Sequence, residues 1–372
     1  MNDEPYSNGA SSDRHRHVLF AGGGSAGHVF PGLAVAEVLA ARGWVVSWAG
    51  RPAGMERELV EGVGLHYAAL PAAPLVGQGV RGKLGSLLTL VLAAWRGRRL
   101  IRQLGADVVV GTGGYVSAPA VLGAKLGGRP SLLLEPNARA GAANRLLSRW
   151  ASAAAVAFVE AEEDFACRVE TTGTPVRAGF FDRSEGRLEA APTVLIVGGS
   201  QGARQINELL PPAIERLGAR LPRLRVRHQT GAGNVDSVRV DYTQRKLDDV
   251  ELEVVAFLED MPAVLGAADL VVSRAGAVTL AEICAAGRPS VLMPLRQAGD
   301  HQLDNARRLA VAGAAIVLED GDASVDGIFE ALAGLLGDRE RLTAMSDAAS
   351  ALAVDDAAER IADLIHELAE AA

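Results

Sequence analysis

Twice in this chain a strand-length apolar run passes straight into a glycine-rich turn and then into a helical pattern. The first is Val18-Leu19-Phe20-Ala21 before Gly22-Gly23-Gly24-Ser25-Ala26-Gly27-His28. The second is Thr193-Val194-Leu195-Ile196-Val197 before Gly198-Gly199-Ser200-Gln201-Gly202-Ala203-Arg204. A strand that is apolar at consecutive positions is buried on both faces, as in a parallel sheet flanked by helices. Similar runs follow each opening, at 45–49, 107–111 and 131–134, and again at 225–228, 253–256, 270–272 and 290–293, with helical patterns at 31–42 and from 324 onward. The alternation predicts an α/β chain of two Rossmann-like, doubly wound domains in tandem. Residues 1–13, polar and aperiodic, read as a disordered tail, and 182–192, charged with Gly and Pro, as a linker. The first domain is then 14–181 and the second 193–345, leaving helices at 346–372 to pack across the surface and back onto the first domain.

Composition narrows the class. With 49% hydrophobic residues and 42 Gly, the chain is too apolar for disorder and too Gly-rich for a helical bundle. Cys167 and Cys284 are far apart and lack metal-site spacing, which excludes a disulfide framework and a cysteine-based metal centre. No run reaches the ~18 apolar residues of a membrane span, and the polar N-terminus lacks the apolar core of a signal peptide. The expected location is therefore a reducing cytoplasm. A net charge of -8 argues against a nucleic-acid partner, but the charge is uneven. Residues 1–186 carry 19 Lys and Arg against 16 Asp and Glu, and the remainder 18 against 29. Between Glu61 and Glu135 the only acid is Asp107. Within that stretch Leu84, Leu87, Leu88, Val91 and Trp95 recur at helical spacing, bracketed by Arg81, Lys83, Arg96, Arg98, Arg99 and Arg102. An interfacial segment that meets anionic headgroups has this form, and so does an amphipathic helix on a core with snorkelling basic ends.

A turn between strand and helix aims backbone N–H groups and a positive helix end into the crevice at the strands' carboxyl ends, where phosphate binds. The same turn can need glycine for packing alone. Gly22, Gly24 and Gly27 match GxGxxG, but the strand at 45–49 ends in Gly50-Arg51 where a dinucleotide fold places an acid. NAD is disfavoured, and Arg51 leaves NADP formally open. In the second loop Ser200 adds a hydroxyl for a diphosphate oxygen. A third run, Ser273-Arg274-Ala275-Gly276-Ala277-Val278-Thr279-Leu280-Ala281-Glu282, puts Glu282 in the first turns of a helix, either as acceptor for a ribose diol or as complement to the helix dipole.

Taken in order, Gly23-Gly24-Ser25-Ala26-Gly27-His28-Val29-Phe30-Pro31, Gly113-Gly114-Tyr115-Val116-Ser117, Glu135-Pro136-Asn137, the loop at 198–204, Phe257-Leu258-Glu259-Asp260-Met261 and the run 273–282 resemble the MurG family. These are glycosyltransferases of family 28, and the resemblance spans residues 17–365. It implies a GT-B fold, two Rossmann-like domains facing each other across a cleft. It also implies inverting transfer of N-acetylglucosamine (GlcNAc) from UDP-GlcNAc to lipid I, undecaprenyl-pyrophosphoryl-MurNAc-pentapeptide, giving lipid II at the cytoplasmic face of the membrane. Donor contacts carry over to Ser25, Ala26, Gly27, Asn137, Arg177, Ser200, Leu258, Ala277, Val278, Thr279, Leu280, Ala281, Glu282, His301 and Gln302. Among them Leu258 would lie against uracil, Glu282 would hold the ribose, Gln302 the sugar hydroxyls and Ser200 the diphosphate. Tyr115 falls on the acceptor side, and a polyprenyl acceptor gives the basic amphipathic segment an anionic membrane to meet. Protein partners in cell-wall synthesis or division belong to the same implication.

Ser25-Ala26 stands where the family usually has Thr-Gly, and Leu134 where His commonly precedes the Glu. His28 is the first candidate for the base that deprotonates the acceptor hydroxyl, and Glu135 the second. No DxD-type pair ends a donor-side strand, so no metal is expected, with N–H groups and helix dipoles neutralising the leaving diphosphate. A GT-B transferase with another acceptor and a UDP-GlcNAc epimerase would share the donor half. A non-catalytic nucleotide-sugar sensor would bind without turnover.

Overall fold

The computed structural model describes residues 15–71, 80–182, 191–199, 202–295, 301–319 and 321–372, and the backbone alone for 80–90. The expected tail, most of the expected linker, and Ser200 lie outside the described residues. The first series of elements is β1 (His17–Ala21), α1 (Ala26–Ala41), β2 (Val45–Gly50), α2 (Met55–Gly62), β3 (His66–Ala69), α3 (Val80–Leu104), β4 (Val108–Gly111), α4 (Ala118–Gly127), β5 (Ser131–Glu135), α5 (Ala142–Leu147), β6 (Ala153–Val156) and β7 (Arg168–Thr171). The second is β8 (Thr193–Val197), α6 (Arg204–Arg220), β9 (Leu224–Gln229), α7 (Val235–Thr243), β10 (Val250–Val255), α8 (Met261–Ala267), β11 (Leu270–Ser273), α9 (Ala277–Ala285), β12 (Ser290–Leu292), α10 (His301–Val311), β13 (Ala315–Val317), α11 (Val325–Leu336), α12 (Arg339–Ala351) and α13 (Ala357–Glu370).

The strands form two sheets, ordered β3-β2-β1-β4-β5-β6-β7 and β10-β9-β8-β11-β12-β13. Every pairing is parallel, with Val18 opposite Val108 in the first sheet and Leu270 opposite Val194 in the second. The strand order reverses between β1 and β4 and between β8 and β11, so the loops after those four strands open into crevices at the sheets' carboxyl edges. The two doubly wound units expected from the alternation are what the chain adopts. Helix α1 starts five residues before the expected Pro31, which sits inside it. A proline this close to a helix start removes only one early backbone hydrogen bond, so the apolar face at Val29, Leu33 and Ala36 decides the boundary. Strands β3, β6, β7 and β13 were not expected: β3 (His-Tyr-Ala-Ala) and β7 (Arg-Val-Glu-Thr) have no apolar run, and β13 (Ala-Ile-Val) is only three residues long. Strand β6 is Ala-Ala-Ala-Val, a composition that favours helix when taken alone, and the other three lie at sheet edges.

The cores fix the loops. Trp48 is fully buried, stacks on Phe20 with ring centroids 5.5 Å apart, and donates from Nε1 to the Gly22 carbonyl at 3.0 Å. Its indole thus has the partner a buried Trp requires, and that partner is the backbone of the first glycine loop. Helix α13 buries Ile361, Ala362, Leu364 and Ile365 in the core of the first sheet, although it follows the second in sequence. Helices α1 and α9, one from each series, pack against each other and bring the crevices together.

Candidate functional site

Between the two sheets lies a cavity of about 730 Å³. The N-termini of α1 and α9 both open onto it, through Ala26 and Gly27 on one side and Val278 and Thr279 on the other. Unpaired N–H groups and the partial positive charge of two helix ends therefore face one space, which suits a diphosphate. Arg177 lines the same cavity. Its guanidinium is sandwiched between the rings of Phe30 and Phe180, 5.1 and 5.3 Å from their centroids, and its Nε is buried without a hydrogen-bond partner among the described residues. Glu282 is buried on the first turns of α9 and also faces the cavity. Burial pushes its carboxyl up to about 7, with the charge of Arg177 acting in the opposite direction. Leu258 and Phe257 close one wall.

Seven of the expected donor residues thus share one cavity: Ala26, Gly27, Arg177, Leu258, Val278, Thr279 and Glu282. Helical geometry separates the others on α9. Ala277, Leu280 and Ala281 line a smaller cavity of about 240 Å³ on the opposite face of that helix. His301 and Gln302 stand at the start of α10, outside the lining of the larger cavity. Gln302 accepts from the Leu295 N–H at 2.9 Å through Oε1, and His301 Nδ1 is buried with no partner among the described residues. Ser200 falls outside the described residues.

His28 is on the first turn of α1, one residue beyond the cavity-lining Gly27. Its Nδ1 lies 3.0 Å from the Gly23 carbonyl and 3.2 Å from Ser25 Oγ. A carbonyl only accepts, so Nδ1 carries a proton, which in the neutral imidazole puts the lone pair on Nε2. The ring lies against the loop after β4, where Gly113 and Gly114 have φ of +108° and +71°. A Cβ on Gly113 would stand 2.9 Å from the His28 ring, so that close approach requires glycine. Tyr115 is half-buried on the same loop.

Glu135 ends β5 with both oxygens engaged. Oε1 accepts from the backbone N–H and the side-chain amide of Asn137 at 3.1 and 2.8 Å, and Oε2 from the Gly141 N–H at 2.9 Å and Asn144 Nδ2 at 3.0 Å. Asn137, expected on the donor, is half-buried and tied to this carboxylate. Two further residues escaped the sequence reading. Asn305, buried on α10, accepts from the Ala138 N–H and donates to the Ala275 carbonyl, linking the loop after β5 to the loop before α9. Glu56, fully buried on α2, accepts from the Gly24 N–H of the first glycine loop. Neither belongs to a motif, and a buried polar residue on a helix leaves no periodic trace.

Helix α3 divides into two faces. Ala93, Ala94 and Ile101 are buried, while Val91, Leu92 and Trp95 are exposed. Arg96, Arg98, Arg99 and Arg102 flank a shallow groove beside Trp95, with the Arg98 guanidinium 5.2 Å from the indole centroid. Arg81, Lys83, Leu84, Leu87 and Leu88 lie on the same helix, but their side chains fall outside the described set. Among the described residues no helix is long and apolar enough to cross a membrane.

The glycosyltransferase family 28 N-terminal domain matches residues 18–156 and the family 28 C-terminal domain residues 193–361. A protein of Halorhodospira halophila named UDP-N-acetylglucosamine–N-acetylmuramyl-(pentapeptide) pyrophosphoryl-undecaprenol N-acetylglucosamine transferase is 42% identical over 367 residues, covering 95% of this chain and 99% of the relative. One of the same name from Stutzerimonas stutzeri is 40% identical over 356 residues, with 95% and 99% covered. Among solved structures, MurG of Acinetobacter baumannii superposes with a TM-score of 0.75 at 33% identity, covering 95% of this chain and 99% of that one. The fold is thereby GT-B, the two strand–glycine loop–helix units belong to the two halves of one enzyme architecture, and the chain is a member of glycosyltransferase family 28.

Proposed function

We propose that the protein transfers GlcNAc from UDP-GlcNAc to lipid I, forming the β-1,4 linkage of lipid II and releasing UDP. The observation that carries this is the cavity where two helix N-termini, a sandwiched arginine and a buried carboxylate converge. Glu282 accepts the ribose hydroxyls of the donor, and the Leu258 backbone meets the uracil. The amides at Ala26, Gly27, Val278 and Thr279, with Arg177 and Ser200, neutralise the diphosphate as it departs. Gln302 and His301 reach the sugar, and Asn137 sits at the boundary between donor and acceptor.

In this reading the acceptor's 4-hydroxyl approaches the donor anomeric carbon from the side opposite the diphosphate, next to His28. Nε2 of His28 takes the hydroxyl proton as the new C–O bond forms and the bond to UDP breaks, which inverts the anomeric centre. Glu135, with four hydrogen bonds already accepted, organises the loop that carries Asn137 and leaves the proton to His28. Transfer of GlcNAc from UDP-GlcNAc to a short-chain lipid I analogue by the purified protein tests the reading directly.

The acceptor's polyprenyl tail requires access to a membrane, and α3 supplies the surface on the cytoplasmic face. Exposed Val91, Leu92 and Trp95 enter the interface, while Arg96, Arg99 and Arg102 meet anionic headgroups at about 1 kcal/mol each. Vesicles rich in anionic lipid are expected to co-sediment the protein at low salt and to release it at about 0.5 M salt, where the Debye length shrinks to a few ångström. Trp95→Ala combined with Arg99→Ala should abolish co-sedimentation, and undiminished binding of that variant would rule out this face.

A further inference from the structure

Arg51 directly follows β2, and its guanidinium is held in place. Glu56 Oε1 accepts from the Arg51 backbone N–H at 3.0 Å and from Nε at 3.2 Å, and Oε2 from Nη2 at 3.4 Å. The same Oε2 accepts from the Gly24 N–H at 3.3 Å. The carboxylate is fully buried, in a cradle that side chains would fill: a Cβ on Gly23 would stand 2.4 Å from Glu56, and one on Gly54 2.2 Å. Burial alone would raise the Glu56 carboxyl, but the hydrogen bonds from Arg51 and from the backbone N–H groups of Arg51 and Gly24 outweigh it and keep it ionised. Tyr67 donates from its hydroxyl to the Arg51 carbonyl at 2.7 Å, fixing the backbone as well.

The guanidinium side chain is about one-third exposed, and Glu56 first, with Tyr115 contributing, holds it in its charged form. Of the five N–H groups of the arginine, Glu56 takes two, and among the described residues the other side-chain partner is Tyr115. One buried carboxylate thus ties three segments together: the first glycine loop under His28, the end of β2, and through Arg51 the loop with Tyr115. An arginine pre-oriented by Glu56 beside the first glycine loop and the Gly113–Tyr115 loop has its remaining guanidinium edge placed to recognise a phosphate group.

We infer that Arg51 binds the pyrophosphate of the acceptor, and that Glu56 is the positioning residue that aims it. This rests on the functional reading above, with the acceptor entering on the His28 side. A diphosphate held there sets the register of the sugar, so that its hydroxyl rather than a neighbouring group meets Nε2.

The test is steady-state kinetics with a short-chain lipid I analogue, together with calorimetric binding of a short-chain prenyl pyrophosphate to the full chain. Arg51→Met is expected to raise the acceptor KM about tenfold or more while the donor KM stays within about twofold, and to weaken prenyl pyrophosphate binding in parallel. Arg51→Lys should recover part of both losses, because the charge returns without the fork. Glu56→Gln, which keeps the shape and removes the charge, should raise the acceptor KM as well. Donor and acceptor KM rising together, or an acceptor KM and pyrophosphate affinity unchanged in Arg51→Met, would overturn the assignment. If the wild-type protein transfers no GlcNAc, the functional reading fails on its own, while the pyrophosphate titration still decides the role of Arg51.

Discussion

Replacing His28 with Ala is expected to lower kcat by about two to three orders of magnitude, the usual contribution of a positioned general base. The donor KM should stay close to wild type. The expectation follows from the tautomer: the Gly23 carbonyl holds the proton on Nδ1, and the Gly113–Gly114 backbone fixes the ring so that Nε2 has one orientation. A merely structural histidine would instead show its loss in thermal stability. Glu135→Ala supplies the contrast, since four donors lose their acceptor and lowered stability should precede any specific loss of turnover. A His28→Ala protein that is folded and turns over at more than a third of the wild-type rate would remove His28 from the mechanism.

Glu282 should govern donor affinity and couple it to pH. In the ligand-free protein burial lifts its carboxyl from an ordinary 4.5 to about 7. The sign follows from proton counts: between those values the native state holds a proton that the unfolded chain has released, so stability falls as pH rises through that window. The full effect is about 3 kcal/mol. A ribose diol donates two hydrogen bonds to the ionised carboxylate, so donor binding pulls the proton off. UDP-GlcNAc should therefore bind about tenfold more weakly near pH 6 than near pH 8, with proton release on binding near neutrality. Glu282→Gln should remove that slope and make the ligand-free protein more stable at about pH 8. Glu282→Ala, which loses two charge-assisted hydrogen bonds, should weaken donor binding at least about a hundredfold. Calorimetric titrations in two buffers of different ionisation enthalpy check both points, and an unchanged pH slope in Glu282→Gln would place the titrating group elsewhere.

The residues proposed for the donor were more legible in the sequence than those proposed for the acceptor, for a physical reason. Most of the former lie in glycine loops and at a helix N-terminus, where backbone geometry forces a local residue pattern that survives as contiguous sequence. The latter are brought together by contacts between distant segments. The spacing rule noted that β2 ends in Gly50-Arg51 with no acid, yet an acid does sit there in space, brought by Glu56 five residues later and spent on Arg51 and Gly24. Its carboxylate is therefore occupied where a ribose would need it. Glu135 was equally opaque, because a carboxylate at a strand end reads alike whether it faces substrate or folds its own loop back. The run 277–282 was read as one contact surface, whereas helical periodicity sends Val278, Thr279 and Glu282 to the large cavity and Ala277, Leu280 and Ala281 to the other face. In the fold, buried strands rich in Val, Ile and Leu were plain, and β6 was hidden by its alanines.

The reaction itself is tested by transfer of radiolabelled GlcNAc from UDP-GlcNAc to a short-chain lipid I analogue by the purified protein, with UDP-GalNAc and UDP-glucose in parallel. A labelled lipid II analogue with UDP released in equal amount is the expected result, with much slower transfer from the other two donors. Tight UDP-GlcNAc binding with no label in the lipid, or release of an epimerised sugar nucleotide, would contradict it.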